Sequence, residues 1–156
     1  MINIQHFRNA VVRPVLDGLG LRSAAAEELV MGTAAHESGL TYLKQVGGGP
    51  ALGVCQMEPA THDDIWKNFL EYRPVLASDL RDMFGPAAGA AAHLVWNLAY
   101  AVAMCRIHYL RVKDPLPQVE DVDGLAAYWK AHYNTAAGAG TVEKWRADYD
   151  RIVKGS

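Results

Sequence analysis

The sequence predicts a mainly α-helical single domain over residues 1–156, built round one central buried helix and carrying a small β-hairpin. Three observations predict it. The segment from Pro86 to about Arg111 is apolar on nearly every side, with Ala90, Leu94, Val95, Leu98, Val102 and Ile107 among its residues. A helix of that kind in a soluble chain is one that other helices surround. The segment from Ser23 to Glu37 has helical periodicity, placing Ala26, Val30, Thr33, Ala34 and Glu37 on one face. Only one stretch reads as β. Tyr42 to Val46 and Leu52 to Gln56 flank Gly47-Gly48-Gly49-Pro50-Ala51, the pattern of a short hairpin or an irregular loop.

Taken in order, a first helix is expected from about Ile4 to Leu16, with Pro14 straining or ending it and Gly18 and Gly20 closing it. Ser23 suits the N-cap of the second helix, and Glu27 and Glu28 in its first turn oppose the helix dipole. That helix runs to about Glu37. After the β-like stretch, Pro59 stands well as the first residue of a helix reaching about Leu70. A short helix follows from Pro74 to Met83, then the apolar helix to Arg111. Asp114-Pro115-Leu116-Pro117 is a loop, and helices over about Val122 to His132 and Thr141 to Val153 close the chain. No repeat, low-complexity tract or linker divides it.

Composition narrows the function classes. A chain of 156 residues that is 51% hydrophobic and 21% charged has an ordinary globular make-up. Its formal charge of −2 gives no electrostatic ground for nucleic acid or an anionic membrane surface as partner. No membrane span is expected either, because His93, Asn97, Arg106 and His108 interrupt the apolar helix and alanine replaces leucine and valine in much of it. Cys55 and Cys105 cannot build a disulfide framework and lack zinc-site spacing, so both read as buried thiols. The start, Met1 to Arg8, does not resemble a secretory signal.

The residue with a chemical argument is Glu37. It ends the buried stripe of its helix, just before Ser38-Gly39 and facing a Gly-rich segment. A carboxyl group there is desolvated, so its neutral form is favoured and it can protonate a leaving oxygen near neutral pH. His36 beside it has no second His or carboxylate three or four positions on, so it reads as a packing or loop-contacting residue, not a metal ligand. No nucleophile elbow, phosphate loop or dinucleotide fingerprint is present. Gly47-Gly48-Gly49 leads into Pro50 and a strand-like stretch, not a helix N-terminus, so it is no phosphate cradle. Trp66, Trp96, Trp129 and Trp145 read mostly as core, with one available to line a groove.

Four short motifs in order carry a resemblance: Glu37-Ser38, Gly53-Val54-Cys55-Gln56, Pro59-Ala60-Thr61 and Tyr133-Asn134. Together, over roughly residues 23 to 140, they resemble the soluble lytic transglycosylase and goose-type lysozyme superfamily, as a bacteriophage member. Val54 stands where that family usually carries Leu or Ile, Ala101 where it tends to carry Gly, and the turn after Asn134 is longer than usual.

The resemblance implies a lysozyme-like fold and cleavage of the MurNAc–GlcNAc β-1,4 bond of peptidoglycan by a monomer, without metal or cofactor. Glu37 would be the general acid and then the base. Ser38 and Gln56 would hold the N-acetyl sugar or the acid, Tyr133 would steady the carboxyl or the intermediate, and Asn134 would close the cleft beside it. As residues alone, Gln56 reads equally as an amide capping a turn, and Tyr133-Asn134 as a helix C-terminus. No Asp or Glu lies between Glu37 and Gln56, and Glu58 is the nearest second carboxylate, itself explicable by the helix that Pro59 opens. A lytic transglycosylase forming 1,6-anhydroMurNAc ends is therefore the expected activity. A hydrolytic muramidase and a non-catalytic virion or wall-binding protein are the alternatives. Such a protein would be made in the host cytoplasm and reach the wall through a holin-type pore or in a virion.

Overall fold

The computed structural model describes residues 1–134 and 138–155. The first helix, α1, covers 4–18: a turn Ile4–His6, a π-type stretch Phe7–Val12 and an α-helical stretch Arg13–Gly18 run on without a break. Asn3 starts it by accepting from the backbone N–H groups of Gln5 and His6 at 3.0 and 3.1 Å. Pro14 does not end this helix. A proline lacks the N–H that the carbonyl four residues back would accept from, and its ring crowds that carbonyl. The wide turn immediately before it relieves both.

The second helix, α2, is Ala24–Ser38. Ser23 accepts from the Ala26 N–H at 3.1 Å, and Gly39 closes the helix in a left-handed conformation with its N–H on the Ala35 carbonyl. Glu27, only 5% exposed, does more than oppose the dipole. Arg8, Arg13 and Arg22 all reach its carboxylate, and Tyr149 donates to Glu28 at 2.8 Å, clamping the two ends of the chain onto the start of α2.

Helices α3 (Pro59–Asn68) and α4 (Pro74–Phe84) both begin on proline, as the sequence indicates, with a 3₁₀ turn Leu70–Tyr72 between them. The helix expected from Pro86 starts later. α5 is Leu98–Leu110, and residues 85–97 carry two 3₁₀ turns, Gly85–Ala87 and Ala91–Leu94. Gly89 turns the chain at φ +87, and Asn97 caps α5 by accepting the Tyr100 N–H at 2.9 Å. Alanine richness favours helix, but a left-handed glycine and a capping asparagine set where it begins. The chain ends with α6 (Val122–His132) and α7 (Val142–Asp148), the latter continuing as a π-type stretch Tyr149–Lys154.

α5 is buried without interruption over 100–107. It shares the central position with α2, which packs against α1, α5, α6 and α7 and is buried on almost every side. Gly32 is what lets α7 approach, since a Cβ there would lie 2.1 Å from the Trp145 ring. Among the described residues no helix is long and apolar enough to cross a membrane.

A buried polar cluster ties 85–97 to α3. The Tyr100 hydroxyl accepts from Trp66 Nε1 at 2.9 Å and from the Gly89 N–H at 3.0 Å, so its own proton goes to His62 Nε2 at 2.7 Å. His62 Nδ1 then carries the imidazole proton and donates to Asp63 at 2.8 Å. Burial holds His62 below its ordinary pKa, consistent with that neutral tautomer.

No strand forms among the described residues. The expected hairpin is reduced to two isolated antiparallel bridges, Lys44↔Leu52 and Leu52↔Met57. Gly53 at φ +78 and Gln56 at φ +49 reverse the chain again straight after the first bridge, so neither arm is long enough for a ladder.

Candidate active site

One cleft of about 480 Å³ collects the predicted residues Glu37, Gln56, Tyr133 and Asn134, with Glu58 and His108 also on its walls. Glu37 reaches it from the last turn of α2, which ends where a glycine can take the left-handed cap. Its Oε1 accepts the indole N–H of Trp129 on α6 at 2.9 Å. Burial pushes the carboxyl up to about 7, and the indole hydrogen bond offsets part of that rise by favouring the ionised form. Near neutral pH the group is thus divided between acid and carboxylate. That is the state a general acid that must later act as base requires.

Gln56 enters the cleft from the turn 53–56. Gly53 is needed there: a Cβ would fall 2.1 Å from the Leu94 carbonyl oxygen, so the loop before α5 backs directly onto this turn. The Gln56 side chain donates to the Gly53 carbonyl at 2.9 Å, and its backbone N–H reaches the same oxygen at 3.0 Å. Gln56 therefore lines the cleft and shapes its own turn. The Tyr133 hydroxyl donates to the Cys55 carbonyl at 2.6 Å, joining the end of α6 to this turn. The carboxyl of Glu37 is held by Trp129, not by that hydroxyl.

Ser38 is 4% exposed, with its hydroxyl donating to the Ala34 carbonyl and accepting the Leu40 N–H, both at 3.1 Å. It closes the end of α2 and so sets the direction in which Glu37 leaves the helix. Asn134 accepts from Lys130 at 2.8 Å, and the same ammonium donates to the Gly140 carbonyl at 2.7 Å, bracing the turn after α6. Thr135 to Ala137, the middle of the long turn noted in the sequence, lie outside the described residues.

Two residues of the site escaped the sequence reading. Trp129 is a core residue, as its pattern indicates, and its indole N–H is also the direct partner of the Glu37 carboxyl. The available signal was its position four before Tyr133, on the same face of α6. His108 served only as an argument against a membrane span. It packs edge-on against Tyr133 with centroids 5.0 Å apart, and Arg111 donates to its Nδ1 at 3.0 Å. A guanidinium can only donate, so Nδ1 is the acceptor and the ring is neutral. Burial and the Arg111 charge bring His108 down to about 4. It is a fixed neutral wall, unsuited to a second proton transfer near pH 7.

Glu58 lines the same cleft at the N-cap of α3, where its side chain makes no capping bond and the helix dipole still favours an acidic residue. Cys55 and Cys105 are both free and buried, with the hydrogen bond between them, and then burial, raising the Cys55 thiol well above its ordinary pKa. Among the described residues no group of His, Cys, Asp and Glu is arranged to hold a metal ion. No family model, curated protein or solved structure matches the chain.

Proposed function

We propose that this protein is a peptidoglycan-degrading glycosidase of the lytic transglycosylase type, cleaving the MurNAc–GlcNAc β-1,4 bond with Glu37 as the acid and base. The observation that carries the reading is a carboxyl brought to about 7 by burial, at the edge of a cleft that also holds Gln56, Tyr133 and Asn134. The order of the four sequence motifs supports it, as does the mainly helical architecture, which we take to be lysozyme-like.

The reaction follows from one well-placed carboxyl. Neutral Glu37 gives its proton to the glycosidic oxygen as the C1–O bond breaks, and the sugar's own N-acetyl carbonyl stabilises the cation-like C1. The carboxylate left behind takes the proton of the 6-hydroxyl, whose oxygen bonds to C1, and Glu37 is returned to its starting state. Because the attacking group belongs to the same sugar, proximity replaces an activated water. The product is a 1,6-anhydroMurNAc end. A hydrolytic muramidase is the second reading, favoured by Glu58 on the cleft wall, since inverting and retaining glycosidases both need a second carboxylate. The site of action on either reading is the cell wall, reached by holin release or virion delivery.

Turbidity clearing of purified cell wall tests the assignment. Glu37→Gln keeps the size of the side chain and removes the transferable proton, so clearing should fall by about 10²–10⁴-fold. A folded variant that clears walls like the parent excludes Glu37 as the acid. Mass spectrometry of the released muropeptides separates the two reactions, because anhydro ends are lighter by one water than reducing ends.

A further inference from the structure

We propose that Trp129 is the positioning residue of the acid, its indole N–H fixing one carboxyl oxygen of Glu37 while His36, anchored to Asp148, fixes the indole. The proposal rests on the reading of Glu37 as the acid. It stands on a continuous set of contacts from three helices. Trp129 is 0% exposed and donates from Nε1 to Glu37 Oε1 at 2.9 Å. The His36 ring meets the indole edge-on, centroids 4.6 Å apart and planes at 77°. His36 Nδ1 lies 2.8 Å from Asp148 Oδ2 on α7, whose other carboxyl oxygen accepts from Arg151 at 2.7 Å. Gly140 completes the slot, since a Cβ there would come within 2.6 Å of the Trp129 ring and 3.2 Å of His36 Nε2. A tryptophan this large, held on one face by a histidine and on another by a loop glycine, has little freedom to swing its N–H away from the carboxyl.

The chemistry of the donor gives the contact a consequence. An indole N–H donates and never accepts. The carbonyl oxygen is the stronger acceptor of a neutral carboxyl, so the indole favours Oε1 as the carbonyl and Oε2 as the oxygen that carries the proton of neutral Glu37. Trp129 thus selects which carboxyl oxygen delivers the proton to the leaving group and takes the one that follows. The other titratable groups facing the carboxyl do not compete for this role. Tyr133, Tyr109 and Cys55 are kept protonated by burial and neighbouring buried groups. His108 is neutral near pH 7, Glu58 lines the cleft from the start of α3, and His36 is turned to Asp148.

The experiment follows Glu37 by side-chain carboxyl ¹³C NMR across pH in the full chain, for the parent and for Trp129→Phe, which keeps an aromatic ring and removes the donor. A hydrogen bond to the charged form lowers a carboxyl pKa, so its removal should raise the Glu37 midpoint by about one pH unit. In the parent, the Trp129 indole N–H resonance should titrate with the same midpoint as Glu37, a measurement that needs no variant. A Glu37 midpoint unmoved in folded Trp129→Phe, or an indole resonance indifferent to pH through that midpoint, overturns the proposal. A residue that only filled space would lower stability without moving either titration. Wall clearing measured alongside separates the two claims: a midpoint that moves while the basic limb of the lysis profile stays in place upholds the contact and removes Glu37 as the acid.

Discussion

The burial that raises the pKa of Glu37 has a price in stability, and its size can be worked out. In the unfolded chain the carboxyl titrates near 4.5, and in the fold at about 7. The folded pKa is the higher, so the contribution is fully present below pH 4.5, is lost as pH rises to 7, and is constant above. The difference of about 2.5 units corresponds to about 3 kcal/mol, a large share of the stability of a small domain. Glu37→Gln isolates this effect. The amide cannot ionise, and its oxygen can still accept from Trp129 Nε1. Urea unfolding of parent and variant at intervals from pH 4 to pH 8 reads the difference directly, with the other titrating groups, His62 among them, common to both proteins. The two should match near pH 4, diverge by about 1.4 kcal/mol per pH unit between 4.5 and 7, and stay about 3 kcal/mol apart at pH 8, the variant being the more stable. Parallel stability curves would mean that Glu37 ionises as readily in the fold as in water, and the argument for it as an acid near neutral pH would go with them.

Three further outcomes are expected. Glu58→Gln should leave both the rate of clearing and the anhydro ends in place; a variant that loses activity, from a parent that makes reducing ends, identifies a two-carboxylate hydrolase. Exhaustive treatment with chelator should leave wall clearing unchanged, and loss restored by one added metal would reveal a metal site in the protein. Gly53→Ala sets a Cβ 2.1 Å from the Leu94 carbonyl at a backbone φ of +78 and should cost about 3 kcal/mol or more, read as a fall in the urea midpoint, together with lysis lost through displacement of the Gln56 turn.

Much of the helical framework was legible in the residues because helix boundaries are local. Ser23 at an N-cap, Pro59 and Pro74 at first positions and Gly39 at a left-handed end each act within one turn of themselves, and each lies where the sequence indicates. The apolar run after Pro86 misled for the same reason: its periodicity was local, while the turn at Gly89 and the bonds that hold it to Tyr100 depend on α3. The stretch 42–56 had hairpin chemistry, but the second reversal at Gly53 and Gln56 left only bridges. Glu37 was nameable from its place at the end of a buried stripe, since a helix tells which side chains share a face. What held its carboxyl was not nameable. Trp129 is 92 residues further along the chain, and a tryptophan with that spacing looks like any other core residue until α2 and α6 are packed together. Periodicity reports burial; it is blind to the partner that a buried donor finds. Only the packing of α2 against α6 and α7 decided that the indole N–H would meet a carboxyl in a cleft, and so made an ordinary core side chain part of the site.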